Sequence, residues 1–534
     1  MTQNPLWWRD GIIYQIYPRS FADSNGDGIG DLPGIIQKLD YIAELGVDAI
    51  WLSPIYPSPN VDFGYDVSNY IDVDPIYGTL ADFDRLAAEA HRRNIHIVLD
   101  LVLNHTSDQH PWFQAAKRSH TDPYHDWYLW RDPASDGGVP NNWQSTFGGK
   151  GWEFVPEVGQ YYFHMFAKEQ PDVNWRNPAV RQAMLDVFRF WLDRGADGFR
   201  LDVFNVYFKD AQFRNNPPKP GIRPFDQQEH LYDCDQQEMF PLLTEIRALL
   251  DEKPGRYAVG ETFIHTPKKA ASFCAPGLLP AAFDFELLES RWHPRRFLNA
   301  IQRWEAALQP GSWPNYVLNN HDNPRSATRY VRGENDDRLK VAATLLLTLR
   351  GTPFLYYGEE IGMRDIPMKR SEILDPVGKH YWPFFKGRDG CRAPMQWDNS
   401  IYAGFSPARS WLKVQADHDW RNVESQRADA DSLFSFYRRL IQLRKEYPAL
   451  REGMFLSLND EPRRLLAYLR KTDEQTVLIA LNFSRFPVKL VLGHSLAKSQ
   501  MQLLLSNKRD VIVSPATGLL SLAGQEACII LLEN

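Results

Sequence analysis

Three acidic residues stand at the ends of short apolar runs in this chain of 534 residues, each in its own setting. Asp202 closes Gly198-Phe199-Arg200-Leu201-Asp202, Glu261 closes Tyr257-Ala258-Val259-Gly260-Glu261, and Asp322 closes Leu318-Asn319-Asn320-His321-Asp322. Apolar runs of about five residues between helical patterns read as buried parallel strands. In a closed parallel barrel the carboxyl ends of the strands share one face, so residues far apart in sequence converge there. Three converging carboxylates supply a nucleophile, a general acid/base and a third acid, the set that cleaves a glycosidic bond with retention. Any one of these runs, taken alone, reads as a helix cap. The three together, with Arg200 and His321 beside them, point to chemistry.

The elements that must position these residues alternate between strand and helix patterns. Strands are expected at 12–17, 49–53, 95–103, 198–203, 257–261, 282–285, 316–319 and 353–358. Thr79 and Asp82 form a capping-box pattern ahead of Leu80, Phe83, Leu86 and Ala90, which share one helical face. Asn177-Pro178 opens a helix that turns Met184, Val187, Phe188, Trp191 and Leu192 inward, and Gly195 ends it. Such alternation implies an α/β fold, a (β/α)8 TIM barrel of parallel strands covered by helices. The stretch 104–174, rich in Trp, Pro, Gly and His, breaks the alternation and reads as a subdomain inserted after the third strand. An irregular region at 361–430 follows the eighth strand, then a helix near 432–447. Strands at 465–469, 476–482 and 488–492 mark an antiparallel C-terminal β domain. The expected division is barrel 1–103 and 175–450, insertion 104–174, and β domain 451–534.

Composition agrees with a large enzyme: 43% hydrophobic and 24% charged residues suffice for a deep core. A bare barrel takes roughly 250 residues, so the rest belongs to insertions and an added domain. The net charge of −7 and the lack of a long basic run argue against nucleic-acid binding. No apolar stretch approaches the roughly 20 residues that span a bilayer, so no membrane partner is expected. The first residues show neither the basic region nor the apolar core of a signal peptide. Cys234, Cys274, Cys391 and Cys528 match no zinc or redox spacing and read as free thiols of a cytoplasmic protein.

Five motifs stand in order: Asp100-Leu-Val-Leu-Asn104-His105, Gln170-Pro-Asp172-Val-Asn174-Trp175, Gly198-Phe-Arg200-Leu-Asp202, Gly260-Glu261 and Asn320-His321-Asp322. On these the chain resembles the α-amylase family of glycoside hydrolases (family thirteen), in its α-glucosidase and oligo-1,6-glucosidase branch. The resemblance runs from Trp7 to the C-terminal strands. It implies that Asp202 is the nucleophile, Glu261 the acid/base and Asp322 the transition-state stabiliser. Arg200 would keep the nucleophile ionised. His105 and His321 would donate to glucose hydroxyls, and Asp100, Asn104 and Asp172 would support the pocket. Asp62 and Arg392 are expected to pair and clamp the terminal glucose, although Ala393 stands where the family commonly has Thr. Tyr65, Phe147 and Phe166 would supply an apolar wall. Val203 follows the nucleophile, where the branch tends to have Val for α-1,6 linkages and Thr for α-1,4, which tilts the expected substrates, short α-glucosides, toward isomaltose types.

A further constellation, Asp23-Ser24-Asn25-Gly26-Asp27-Gly28-Ile29-Gly30-Asp31, alternates oxygen donors at Asp23, Asn25, Asp27, Ile29 and Asp31. Hard cations take that arrangement, and Gly34 at the twelfth position excludes an EF-hand. The resemblance implies one structural Ca²⁺ or Mg²⁺ here, and no organic cofactor. The same motifs also serve transglucosidases and sugar isomerases, and a non-catalytic transporter-partner scaffold shares the fold. The sequence leaves open the oligomeric state, a homo-oligomer included.

Overall fold

The computed structural model describes residues 6–263, 266–459, 461–511 and 518–533. Eight strands form one sheet: β1 (Ile13–Ile16), β2 (Ala49–Leu52), β3 (His96–Leu101), β4 (Gly198–Leu201), β5 (Tyr257–Gly260), β6 (Ala281–Ala282), β7 (Asn315–Val317) and β8 (Thr352–Tyr356). Their order is β7-β8-β1-β2-β3-β4-β5-β6, and every pairing is parallel. Because β8 pairs with β1, the sheet turns back on itself as a barrel. The strands are nearly all apolar because both faces are covered, one by the barrel interior and the other by helices.

Each strand begins and ends within two residues of the apolar run that predicts it, except the sixth. An extended run was expected at 282–285, but β6 is only Ala281–Ala282 and Phe285 already caps the short helix Glu286–Glu289. Strand β6 has a registered partner on one side only, so little holds it extended beyond Phe283, whose N–H donates to Gly260 O at 2.8 Å.

Local signals set the helices. Thr79 and Asp82 make the reciprocal capping box that opens Leu80–Arg92. Asn177 caps Pro178–Asp193 by accepting from Ala179 N–H. Met184, Val187, Phe188, Trp191 and Leu192 of that helix are buried.

The insertion carries a small antiparallel sheet of Trp130–Arg131, Gln160–Phe163 and Trp152–Val155. At the C-terminus β9 (Met454–Ser457), β10 (Leu465–Lys471), β11 (Thr476–Asn482), β12 (Val488–Val491), β13 (Gln500–Ser506), β14 (Leu519–Leu522) and β15 (Ala527–Glu533) form two antiparallel sheets, β9-β10-β11-β15-β13 and β12-β14. Buried Arg470 of β10 docks this domain on the barrel, donating to Thr348 O and, at 3.1 Å, to Leu450 O.

Candidate active site

Side chains along a strand alternate between faces, so residues two apart point the same way. Ile13, Ala49, Val98, Val259 and Phe354 pack together in the barrel interior. One step further along, Asp100 lies opposite Arg200, and Arg200 opposite Val259. Asp202 and Glu261 come two residues beyond Arg200 and Val259 and extend the same ladder. Asp202 N–H donates to Leu101 O at 3.0 Å and Glu261 N–H to Leu201 O at 2.9 Å. An apolar barrel plug therefore gives way to a polar layer at the carboxyl ends of the strands.

Arg200, fully buried, organises that layer. Nη1 donates to Asp100 Oδ1 and to Asp202 Oδ1, both at 2.6 Å, and Nη2 donates to Glu261 Oε2. Burial pushes the Asp202 carboxyl well up; Arg200 opposes the rise and Glu261 adds to it. Glu261 is also raised, first by burial, against Arg200, with the charge of Asp322 adding to the rise. Three desolvated carboxyls share one guanidinium, and burial raises all three against its charge. Asp322 behaves oppositely. Burial works against its charge, but His321, Arg388 and Arg392 outweigh it and hold the carboxyl below the usual range. The arrangement thus sets carboxyls of raised pKa beside one of lowered pKa.

A cavity of about 220 Å³ brings Asp202, Glu261 and Asp322 together with Asp62, His105 and Val203. Tyr65, Phe147 and Phe166 form its aromatic wall, joined by Phe263, Thr146 and Gln170, which the sequence reading did not single out as lining residues. The volume lies below the roughly 300–1,000 Å³ of common ligand clefts and suits one ring rather than a chain.

The expected clamp is corrected in one partner. Asp62 Oδ1 accepts from Arg388 Nη2 at 2.6 Å, and Arg388 lines the cavity. Arg392 is fully buried and donates instead to Asp322 Oδ1 and His321 O, both at 2.8 Å. The two arginines stand four residues apart around the short 3-10 turn Asp389–Arg392, which aims one at Asp62 and the other beneath Asp322.

The histidines divide likewise. His105 lines the cavity, with Nε2 2.9 Å from Tyr65 O. Burial lowers its pKa to about 4, so the ring is neutral. Lys209 and Asp172, a buried pair at 2.5 Å, join Asn104 in tying the inserted subdomain to the end of β3 beside it. His321 lies behind the wall rather than on it. Gln15 Nε2 donates to its Nδ1 at 2.8 Å, leaving the Nε2 proton for the Tyr65 oxygen at 2.6 Å. Tyr65 in turn donates to Asp100 at 3.0 Å. Burial lowers the His321 pKa to about 3. Its Nε2 thus bonds Tyr65 and lies 3.4 Å from Asp322 Oδ2.

Val203 adopts φ +35°, a strained value for a β-branched residue, and turns the chain into Phe204–Val206 directly after Asp202.

On the first βα loop, Asp23 accepts from Gly26 N–H at 2.7 Å and Gly28 N–H at 2.8 Å, Asn25 from Asp27 N–H at 2.9 Å, and Asp27 from Ile29 N–H at 2.8 Å. Asp31 caps the helix Leu32–Gln37. Among the described residues no three His, Cys, Asp or Glu side chains converge as a metal cage. An ion here would therefore draw on amide and carbonyl oxygens of Asn25 and Ile29 beside the carboxylates.

A parallel barrel whose strand ends bring an acid pair on one arginine and a third acid into one cavity has the equipment of a glycoside hydrolase. The catalytic-domain model of the α-amylase family matches residues 15–453, and the C-terminal domain of maltogenic amylase matches 455–529, so the chain belongs to the α-amylase family. It is 44% identical over 495 residues to a probable α-glucosidase of Rhizobium meliloti, covering 90% of this chain and 89% of that protein. It is 39% identical over 539 residues to an oligo-1,6-glucosidase of Parageobacillus thermoglucosidasius, covering 94% and 95%. The crystal structure of an α-glucosyl transfer enzyme superposes with a TM-score of 0.93 at 42% identity, covering 99% of this chain and all of that one.

Proposed function

We propose that this enzyme is an exo-acting retaining α-glucosidase of short α-glucosides. The observation that carries the reading is the ring-sized cavity in which the three acids share walls with Asp62, Arg388 and aromatic rings. An Arg–carboxylate pair offers directed donors and acceptors to adjacent sugar hydroxyls, and aromatic faces suit the apolar side of a hexose. Asp202 and Glu261 bind adjacent nitrogens of one guanidinium. That sharing favours the separation of roughly 5–5.5 Å that goes with retention over the roughly 6.5–9.5 Å of inverting pairs.

Glu261 gives its proton to the glycosidic oxygen as the bond to the anomeric carbon breaks, and Asp202 attacks that carbon from the opposite face. The resulting ester is cleaved by a water that loses its proton to Glu261, which releases α-glucose and restores both acids. Asp322, held ionised, faces the positive charge that builds on the ring. Val203 beside the bond being broken supports a tilt toward α-1,6 linkages.

Incubation with isomaltose, maltose, trehalose and sucrose, followed by proton NMR, tests the reading. The expected first product is α-glucose, fastest from isomaltose; β-glucose, or no release from any of the four, contradicts it. Glucosyl transfer or sugar isomerisation is the second reading, favoured by the likeness to the α-glucosyl transfer enzyme; disaccharide products outrunning glucose identify it. The complete acid set disfavours a non-catalytic scaffold.

One Ca²⁺ or Mg²⁺ would be held by Asp23, Asn25, Asp27, Ile29 and Asp31. Alternating oxygen donors around Gly26 and Gly28, both at positive φ, support this. Such an ion would stiffen the loop, to which Phe405 O and Trp411 N–H are bonded, and takes no part in the chemistry. A cytoplasmic setting is supported by four cysteines that are all free and buried. No helix among the described residues is long and apolar enough to cross a membrane.

A further inference from the structure

Arg388 reaches the cavity from a long segment after β8, and an arginine on a loop has many rotamers with which to leave its post. Besides Asp62 and Asp322 in the cavity, a carboxylate behind it holds the arginine. Asp375, fully buried and outside the cavity wall, accepts from Arg388 Nη2 at 2.8 Å on Oδ1. On Oδ2 it accepts from Arg388 Nε at 3.2 Å and from the Arg388 backbone N–H at 2.7 Å. This side-on grip leaves the second Nη2 proton for Asp62 Oδ1, at 2.6 Å, and aims Nη1 at Asp322 Oδ1, at 3.5 Å. Asp375 also accepts from Val377 N–H, but at 3.3 Å that is the longest of its bonds, so helix capping does not account for its placement.

The backbone is built around the pair. Gly387 sits at φ +81°, and a Cβ there would lie 2.8 Å from Asp375 Oδ2. A Cβ on Gly378 would meet the Gly387 backbone at 2.7 Å. Asp389 ties the two strands of the loop together by accepting from Leu374 N–H at 2.6 Å and Asp375 N–H at 3.0 Å. The same segment covers the Phe147 turn, where a Cβ on Gly148 would collide with His380 and Tyr381.

We propose that Asp375 is a positioning residue for the glucose site: it fixes the Arg388 guanidinium so that Arg388 and Asp62 present a preformed donor–acceptor pair to the terminal sugar. Without this grip Arg388 is free to collapse onto Asp322 and fill the ring site. The inference rests on the glucosidase reading for its substrate, but not for its geometry.

The test is a double-mutant cycle of Asp375→Asn and Arg388→Met, with isomaltose kinetics and glucose binding by calorimetry. Asp375→Asn is expected to raise KM and weaken glucose binding about tenfold or more, with a smaller change in kcat. The double variant is expected to be no worse than Arg388→Met alone, because a residue that acts only through Arg388 has nothing left to position. KM and glucose affinity within about twofold of wild type in Asp375→Asn, or effects that multiply in the double variant, overturn the proposal. If Asp375→Asn alone does not fold, because it strands a buried cation, the comparison of the double variant with Arg388→Met still decides. Wild-type inactivity on every α-glucoside would strike the glucosidase reading instead, while glucose binding in the same variants still reads this inference.

Discussion

Arg200 donates to Asp202 at 2.6 Å from one guanidinium nitrogen and to Glu261 from the other, so the two acids of the reaction are set by one side chain. Arg200 is held in turn by Asp100 at 2.6 Å across the β3–β4 register. The distance between nucleophile and acid is therefore a property of the barrel, not of a loop.

Replacing Asp202 by Asn keeps the shape and removes the nucleophile. The kcat on isomaltose is expected to fall by at least about a thousandfold, with the melting temperature near that of wild type. Residual turnover within tenfold of wild type contradicts the assignment.

Glu261→Gln removes the proton donor, so its effect depends on the leaving group. Isomaltose needs protonation at its departing oxygen, whereas α-glucosyl fluoride does not. The loss is expected to be at least about a hundredfold greater for isomaltose. Equal losses on both substrates place the acid elsewhere.

The pH profile carries the same signature. Glu261 must be protonated to act, and its pKa is raised, first by burial. Activity in kcat/KM is therefore lost on the alkaline side as pH climbs through that raised value. His105, at about 4, and His321, at about 3, stay neutral above pH 5 and cannot supply this limb. The wild-type alkaline limb should appear with isomaltose and be absent with α-glucosyl fluoride, and His321→Asn should keep it on isomaltose.

Val203→Thr probes linkage preference. Exchange of a methyl for a hydroxyl in the cavity wall decides about 1–3 kcal/mol, a ratio of about 10–200. The kcat/KM ratio of maltose to isomaltose should rise, and an unchanged ratio removes Val203 from specificity.

Lys209→Met leaves Asp172 charged and buried without its partner. Breaking such a pair costs about 3–5 kcal/mol. Reduced urea resistance is expected, together with a raised KM as the insertion loosens around His105; wild-type stability contradicts this pinning role.

The parts legible in the sequence are those set by local pattern. Asp202 and Glu261 sit at the ends of apolar runs; the strand period puts Asp202 on the face of Arg200 and Glu261 on that of Val259, the register partner of Arg200. Thr79 and Asp82 announce their helix within four residues. What stayed hidden depends on chain paths. Nothing in their spacing shows whether Arg388 or Arg392 meets Asp62, since the turn between them decides it. His321 has the residue type of a ligand contact, yet Gln15 and Tyr65, distant in sequence, occupy both its nitrogens. Four C-terminal strands, Met454–Ser457, Gln500–Ser506, Leu519–Leu522 and Ala527–Glu533, fall outside the sequence reading; the first three leave part of their faces exposed, whereas the buried run of the last has no such reason.

The most direct test of the central claim is to trap the covalent intermediate with a slow fluorinated α-glucosyl fluoride and locate the label by peptide mass mapping. One hexosyl adduct per chain on Asp202, absent in Asp202→Asn, is the predicted result. An adduct on another carboxylate, or turnover that passes through no adduct and releases β-glucose, contradicts the account.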